Sequence, residues 1–320
     1  MAPLAQRPVV QIAKKFMVLA CCLLTVFAVL RVEACTLRNG DKVPTLVVPL
    51  NFFPGRRIYA YHVDLLQLVL EKTKEEFGAC ELTVLETYQP INRIHLNIVG
   101  GGRFDIVDST VNPKRDENLL PVRFPIYRGL MGYRVLLIRE GDQKRFDKIR
   151  TIEDMRSITV GGGFNWFDVK LVKKQNIPTI IASDLETLYR MLPAGRFDAI
   201  LRGAQEVIID EVRLHPQGQQ LEKNLVLAYP LPVNYYMNKT NIELAKRIQR
   251  GLEIAQQDGS FKKLFDSHRL IQETMERVKL EDRHFIYMCN PALSKDIPLD
   301  KAEYWYKAWP KEVLECNKGD

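Results

Sequence analysis

Motifs for metal binding and for nucleophilic catalysis are scarce in this sequence. No two cysteines have C-x-x-C spacing, and the five histidines are scattered along the chain. The motifs G-x-S-x-G and H-E-x-x-H and the Walker loop are all missing. These absences argue against a zinc site and give no support to serine-nucleophile, zinc-hydrolytic or phosphoryl-transfer chemistry. We expect no metal and no other cofactor.

A large excess of charge of one sign is missing as well. The formal net charge is +7, and Arg7, Lys14, Lys15 and Arg31 near the N-terminus outweigh Glu33 by three charges. The rest of the chain is therefore near +4, whereas nucleic-acid-binding domains typically have a dense basic face. We expect no nucleic-acid partner.

Only one long apolar run occurs, at Phe16–Leu30. It follows basic residues and precedes the small-residue segment VEA, a pattern typical of a cleaved signal peptide. No later run approaches the ~20 apolar residues that a membrane-spanning helix needs. We therefore interpret residues 1–34 as a signal peptide and expect the mature protein in the periplasm. Acylation of Cys35 is an alternative address signal, although Glu33 stands where that signal favours a small residue.

The cysteine count agrees with export. Cys35, Cys80, Cys289 and Cys316 remain after the predicted cleavage. An even number of cysteines in an exported chain indicates disulfides, and four cysteines allow three connectivities. We favour Cys35 with Cys80 and Cys289 with Cys316, because each of these pairs closes a local loop.

Strand-like and helix-like segments alternate along the chain. TLVVPL (45–50) and ELTVLET (81–87) resemble strands, and YHVDLLQLVLEKTKEEFG (61–78) resembles an amphipathic helix between them. This alternation predicts an α/β protein with mostly parallel sheets flanked by helices. The tetrapeptide GRFD occurs at 102–105 and again at 195–198, each time between a helix and a short apolar strand. The repetition predicts two lobes of similar construction.

Five stretches resemble, in order and spacing, the bacterial periplasmic solute-binding proteins of family 3, the amino-acid-binding type. They are HVDLLQLVLEKT, GGGRFDIVDSTVNPKR, LLPVRFPIYRGLMGYRVLLIRE, GRFDAILRG and EIAQQDGSFKKLF. The resemblance covers residues 43–270 and implies a two-lobe type II periplasmic-binding-protein fold with a two-strand hinge. In that fold the ligand closes the cleft between the lobes.

The resemblance implies a division of the chain into discontinuous lobes. The first lobe would contain residues 35–131 and 232–280, and the second would contain residues 132–231. The crossings between the lobes would lie near Gly129–Arg134 and Tyr229–Val233. A tail, 281–320, extends beyond the usual end of the family, and we expect it to pack on a lobe and to carry one disulfide.

The resemblance also implies which residues of the first lobe line the cleft. Arg115 matches the arginine that binds a ligand carboxylate, and a guanidinium presents paired donors that suit this role. Thr110 begins the same loop. Phe52 and Tyr88 follow the first and second strands, where the family places rings against the ligand. A plain solvated loop is the alternative interpretation for Arg115.

In the second lobe, the segment GGGFNWFD provides two further candidates, Gly162 and Trp166. Glycine lets the backbone approach a ligand closely, and free amides at the start of a helix attract an anion. An ordinary strand-to-helix turn would have the same glycines. The segment therefore predicts a second wall of the cleft.

The sequence departs from the family at one position. Members that bind free amino acids carry an acidic residue where this chain has Arg202 or Gly203, and Glu206 is only a partial substitute. A desolvated arginine there would repel a ligand ammonium group by several kcal/mol. We therefore expect an anionic ligand, such as a carboxylate or a sugar acid, favoured by Arg56, Arg57, Arg115 and Arg202.

The expected function is that of a monomeric periplasmic protein that binds a small polar or anionic solute by hinge closure. Its partner would be an ABC importer or a membrane sensor. One alternative is a lyase similar to cyclohexadienyl dehydratase, with Asp108, Asp168 or Glu206 as a base whose pKa is shifted by burial. Another is a structural or signalling protein that keeps the fold without a ligand site.

Overall fold

The computed structural model describes residues 34–50, 57–87, 89–164 and 166–317. Phe52, Arg56, Tyr88 and nearly all of the predicted signal peptide lie outside these ranges. The strands are β1 (Thr45–Leu50), β2 (Glu81–Glu86), β3 (Ile106–Thr110), β4 (Leu119–Val122), β5 (Tyr133–Arg139), β6 (Val160–Gly163), β7 (Thr179–Ala182), β8 (Ala199–Gly203), β9 (Gln219–Leu221), β10 (Leu225–Ala228), β11 (Val233–Asn238) and β12 (His284–Tyr287). The α-helices are α1 (Tyr61–Lys72), α2 (Lys74–Phe77), α3 (Ile91–Val99), α4 (Pro113–Asn118), α5 (Gln143–Phe146), α6 (Phe167–Lys174), α7 (Leu185–Met191), α8 (Ala204–Leu214), α9 (Ile242–Gln257), α10 (Ser260–Ser267), α11 (Arg269–Val278) and α12 (Lys311–Cys316).

The first lobe is built on two small sheets. β1 pairs with β2 in parallel, and β11 lies between β3 and β4 and is antiparallel to both. All six residues of β1 are buried, which explains its unbroken apolar sequence. Helices α1 and α9 pack against each other beside these sheets. β11 comes late in the chain, so the first lobe is made from two separate segments.

The second lobe is built on one seven-stranded sheet with the main order β12, β10, β5, β8, β6 and β7. β6 is parallel to β7 and β8, whereas β5 is antiparallel to β8 and β10. β9 pairs with β5 beside the main order. The sheet is mixed because the chain enters it along β5 and leaves it along β10.

The two GRFD tetrapeptides have the same role in the two lobes. Phe104 and Phe197 are both buried in local apolar clusters. Asp105 accepts a hydrogen bond of 2.7 Å from the Val47 amide, and Asp198 accepts one of 2.8 Å from the amide of Thr159. Each aspartate therefore fixes its own strand to the beginning of a neighbouring one.

Both predicted disulfides are confirmed. Cys35 is bonded to Cys80, and Cys289 is bonded to Cys316. The sulfur of Cys35 is therefore not available for a thioether to a lipid. Among the described residues, no helix combines the length and the apolar character needed to cross a bilayer.

Candidate functional site

Arg115 lies on α4, directly after the carboxyl end of β3. The side chain of Asn112 caps this helix by accepting a hydrogen bond of 3.0 Å from the Lys114 amide, and Pro113 occupies the first helical position. Both features are typical of helix starts. A short strand, a capped turn and a helix therefore place Arg115 at the sheet edge where open α/β folds bind ligands.

The Arg115 guanidinium has few partners. One terminal nitrogen donates to the carbonyl of Thr110, and the group lies 5.5 Å from the ring centre of Tyr236. Its Nε is buried without a hydrogen-bond partner. The nearby carboxylate of Asp116 is engaged by Arg123 and by the Tyr236 hydroxyl. Among the described residues, no carboxylate lies within ion-pair distance of Arg115, and burial lowers its pKa.

A histidine and serine pair beside Arg115 was missed by the sequence reasoning. His95 on α3 has its Nε2 2.8 Å from the hydroxyl of Ser109 on β3. Burial, followed by the charge of Arg115, lowers the pKa of His95 to about 4. His95 is therefore neutral near pH 7, and of these three residues, His95, Ser109 and Arg115, only Arg115 carries a positive charge. No motif in the sequence links residues 95 and 109, so only the packing of α3 on β3 reveals the pair.

Some of the other predicted residues of the first lobe are described by the structure, and some are not. Thr110 ends β3 and offers its carbonyl to Arg115. Phe52 and Tyr88 lie outside the described residues, so their contact with a ligand stays a prediction. Arg57, which we expected to favour an anion, forms an ion pair with Asp64.

Close packing explains the glycine at position 162. A Cβ atom there would lie 2.3 Å from a methyl group of Val169, on the helix that follows β6. Trp166 immediately precedes that helix, α6, and a Cβ at Gly163 would meet its ring at 2.3 Å. Strand β6 and helix α6 thus lie so close together that neither Gly162 nor Gly163 could carry a side chain. A ligand contact at Gly162 stays a prediction.

Arg202 does not present a free positive charge. Its Nε donates to Asp210 at 2.6 Å, and another nitrogen lies 3.3 Å from Glu206. The guanidinium also lies 5.0 Å from the ring centre of Trp166, and the residue is buried. The expected repulsion of a ligand ammonium therefore does not follow, because Arg202 is compensated by carboxylates from α8.

A second buried arginine, Arg134 on β5, was also missed by the sequence reasoning. It lies 2.9 Å from Asp168 and 2.8 Å from Glu206, and its Nε donates to the Tyr229 hydroxyl at 3.1 Å. Tyr229 in turn donates to Asp168. We call Arg134, Asp168, Arg202, Glu206 and Asp210 the second-lobe charge cluster. With all its members ionised, it carries two positive and three negative charges.

The pKa shifts within the second-lobe charge cluster separate its carboxylates. Burial raises the pKa of Asp168, and Arg134 only partly offsets this effect. Burial also raises the pKa of Asp210. For Glu206, burial is outweighed by Arg202 and Arg134, so its pKa is lowered. The Glu206 side chain is 21% exposed, compared with 6% for Asp168 and 3% for Asp210. Glu206 is therefore the anion of the cluster that solvent or a ligand reaches most easily.

The described residues offer little to a metal ion. Among them, no group of three or more histidine, cysteine, aspartate or glutamate side chains has an arrangement that could hold one. The carboxylates of the second-lobe charge cluster face guanidinium groups instead.

Comparison with known proteins identifies the fold. No family model matches the sequence, and no curated protein matches it. An ancestral arginine-binding protein bound to arginine has a TM-score of 0.50 at 18% identity, over 70% of this chain and 98% of that one. A probable amino-acid ABC transporter extracellular-binding protein from Bacillus subtilis has a TM-score of 0.51 at 19% identity, over 71% and 99%. The BvgS VFT2 domain from Bordetella pertussis has a TM-score of 0.52 at 16% identity, over 70% and 93%.

These neighbours confirm the predicted fold class, a two-lobe type II fold of the periplasmic-binding-protein kind. The predicted resemblance to family 3 is confirmed at the level of the fold, since the neighbours include an arginine-binding protein and a probable amino-acid ABC transporter extracellular-binding protein. The sequence identity to these neighbours is only 16 to 19%. Its two lobes therefore define the class of protein, and its own residues must define the ligand.

Proposed function

We propose that this protein binds a small solute with a carboxylate group in the cleft between its lobes, and that Arg115 pairs with the carboxylate. The observation that carries the proposal is the unused pairing capacity of Arg115. It is a partly buried guanidinium without a carboxylate partner among the described residues. Burial of an uncompensated charge is costly, so a bound carboxylate would stabilise this corner by charge-assisted hydrogen bonds.

The second lobe supports a ligand that also carries an amino group. The second-lobe charge cluster has a formal excess of one negative charge, and Glu206 is its most exposed carboxylate. A ligand amine that approaches Glu206 would compensate this excess. We therefore favour a zwitterion, an amino acid or a similar compound, over the purely anionic ligand expected from sequence. The arginine bound by the ancestral neighbour belongs to this class.

The proposed setting is the periplasm, with an ABC importer or a membrane sensor as the partner. One solved neighbour is described as a probable amino-acid ABC transporter extracellular-binding protein. The disulfides Cys35–Cys80 and Cys289–Cys316 suit an oxidising compartment.

We propose binding rather than catalysis. A shifted carboxylate pKa would favour the lyase alternative, and burial does raise the pKa of Asp168. Its side chain, however, is 6% exposed and is held by Arg134 and Tyr229. A catalytic base must lie within hydrogen-bond distance of the substrate proton that it removes. Asp168 is instead placed to hold Arg134.

Thermal unfolding of the purified protein against amino acids, organic acids, sugar acids and small peptides tests the proposal. A ligand at about 100 times its dissociation constant adds about 2.7 kcal/mol to the free energy of unfolding. Each stabilising amino acid is then compared with the same compound lacking the amino group. We expect the amino acid to bind more tightly, because only it engages both Arg115 and Glu206.

Arg115→Ala should weaken the binding of such a ligand about 100-fold, since a hydrogen bond to a charged group contributes about 1.5 to 3 kcal/mol. Lys114→Ala is the matched control, because Lys114 is an exposed cation on the same helix. Isothermal titration calorimetry measures both variants. Equal affinity of Arg115→Ala and the native protein would refute the assignment of Arg115. The absence of any stabilising compound would favour the alternative of a protein without a ligand site.

A further inference from the structure

The tail that follows α11 first joins the second lobe. Its strand β12 pairs in parallel with β10 and so extends the seven-stranded sheet. His284 places its Nε2 2.7 Å from the carbonyl of Arg150. Just after β12, Asn290 donates from its side-chain amide to the carbonyl of Pro230 at 2.7 Å. Pro230 belongs to the second predicted crossing between the lobes, so the tail is fixed to the second lobe and to one crossing.

The tail next packs on the other predicted crossing. The buried ring of Trp305 lies against Gly129, where an added Cβ atom would be 2.6 Å from the ring and where φ is +81°. A glycine is required at 129 for both reasons. Arg128 donates to the Trp305 carbonyl at 2.8 Å. Trp309 stacks on Tyr133, with ring centres 5.5 Å apart. These contacts cover the chain as it passes from the first lobe to the second.

The same part of the tail also contacts the first lobe. The ring of Tyr304 lies 4.8 Å from the ring of Phe124, which follows β4. Asp296 accepts a hydrogen bond of 2.7 Å from Arg123, next to Phe124 in the sequence. The tail is therefore anchored on both sides of the hinge.

The disulfide joins the two anchored parts. Cys289 follows β12, and Cys316 ends α12, 27 residues later. Next to the bond, the backbone amide of Asn290 donates to the side-chain oxygen of Asn317 at 2.9 Å. The sulfur bridge therefore connects the part attached to the second lobe with the part that packs on the crossing and on the first lobe. Without it, the connection between the two parts would depend on the intervening chain and on non-covalent contacts.

We infer that residues 281–317 form an interlobe strap, which holds the two lobes at a fixed angle and is kept closed by the Cys289–Cys316 bond. Rotation of one lobe against the other would pull Trp305 off Gly129 or β12 off β10. Proteins of this architecture ordinarily close around a ligand by hinge motion. While the Cys289–Cys316 bond is intact, the angle between the lobes is fixed and the hinge motion is blocked. An added dithiol that reduces the bond to two cysteine thiols, and is itself oxidised to its cyclic disulfide, restores that motion. This inference goes beyond the proposed function and does not depend on any ligand.

Distance measurement between the lobes tests the inference without a ligand. Spin labels are attached to p-acetylphenylalanine introduced at positions 74 and 173, both exposed and on helices α2 and α6. The native protein should give one narrow distance distribution. The double variant Cys289→Ser with Cys316→Ser should give a broad one, and amide exchange over residues 129–134 should become about tenfold faster, because the crossing opens more often.

The other disulfide provides the matched control. Cys35→Ser with Cys80→Ser removes a bond that lies within the first lobe, and it should leave the interlobe distribution narrow. A broad distribution in the native protein, or equal broadening in the two double variants, would overturn the inference. So would an unchanged distribution and unchanged exchange after loss of the Cys289–Cys316 bond.

A second variant covers the case in which loss of the bond prevents folding. Trp309→Leu keeps the disulfide and an apolar side chain but removes the stacking on Tyr133. Amide exchange over residues 129–134 should rise in this variant, while exchange in the buried strand β1 stays at the native rate. Unchanged exchange over 129–134 would count against the strap.

Discussion

Arg115 in the first lobe and the arginines Arg134 and Arg202 in the second lobe are in opposite electrostatic situations. In the first lobe, Arg115 donates to the Thr110 carbonyl and contacts Tyr236. The Asp116 carboxylate acts on its pKa from beyond ion-pair distance, and no ion pair of Arg115 occurs among the described residues. In the second lobe, Arg134 and Arg202 share the carboxylates of Asp168, Glu206 and Asp210. The difference teaches that an arginine near a cleft is not by itself a ligand contact. Arg134 and Arg202 are compensated by carboxylates within their lobe, whereas Arg115 has no carboxylate within ion-pair distance among the described residues. Buried Arg247 also lacks an ion pair, but Thr73 and the carbonyls of Leu70 and Gly78 accept its hydrogen bonds.

The largest expected effect comes from the same substitution made in both lobes. Arg134→Met should lower the free energy of unfolding by about 3 to 5 kcal/mol, because it leaves Asp168 buried without its cation. Arg115→Met should change that free energy by about 1 kcal/mol or less, since no ion pair is lost. Urea denaturation of the two variants measures the difference. Similar losses of unfolding free energy in the two variants would contradict the contrast between an ion-paired Arg134 and an Arg115 without an ion pair.

A smaller effect is expected where the two lobes are alike. Asp105→Asn and Asp198→Asn should each lower the free energy of unfolding by about 1.5 to 3 kcal/mol, because each removes a charged acceptor from a backbone amide. The control is Asp142→Asn, which affects a more exposed ion pair with Arg139 and should cost about 0.5 kcal/mol. Denaturation curves for the three variants give the comparison. A clear loss at only one of the two GRFD sites would show that the motif is not equivalent in the two lobes.

The smallest effect concerns the dependence of stability on pH in the first lobe. The pKa of His95 is lowered from 6.5 to about 4 in the folded protein. The contribution of neutral His95 to the free energy of unfolding is therefore complete above pH 6.5. It is lost as the pH falls toward 4, because the histidine of the unfolded chain takes up a proton before that of the folded protein does. We expect a loss of about 1 to 2 kcal/mol after allowance for its partial exposure. His95→Gln, which cannot take up this proton, should lack that part of the decline.

Arg115→Met sharpens the same test. Removal of the guanidinium should raise the pKa of His95, although burial would still hold it below its ordinary value. Nuclear magnetic resonance titration of the histidine measures the shift. An unchanged His95 pKa would show that Arg115 does not act on this corner, and the proposed carboxylate site would lose part of its basis.

Much of the architecture was predictable from local patterns. Strand β1 has the expected bounds, 45–50, because every residue of it is apolar or small enough to be buried. The predicted helix 61–78 begins at Tyr61 as expected but is divided after Lys72. There the hydroxyl of Thr73 bonds back to the carbonyl of Val69. The disulfides were predictable because each pair is local in sequence.

The charge pairing was not predictable. Arg134 and Asp168 are 34 positions apart in the sequence, and no local pattern joins them. Arg202 was expected to be a free cation, because the sequence does not reveal that Asp210, about two turns into α8, accepts a hydrogen bond from Arg202 on strand β8. Pairing between distant residues depends on how strands and helices pack. The sequence therefore offered both Arg115 and Arg202 as ligand contacts, with Arg115 as the favoured one, and the structure shows that Arg202 is paired.

The sequence by itself determined the alternation of strands and helices, the two lobes of similar construction and the local disulfides. Each of these depends on hydrophobic periodicity, turn residues or short-range loop closure, which act over a few residues. Only the tertiary structure decided which of Arg115 and Arg202 lacks a carboxylate partner and where the tail lies. Those features depend on distances between segments far apart in the chain, and electrostatic energies change steeply with such distances and with burial.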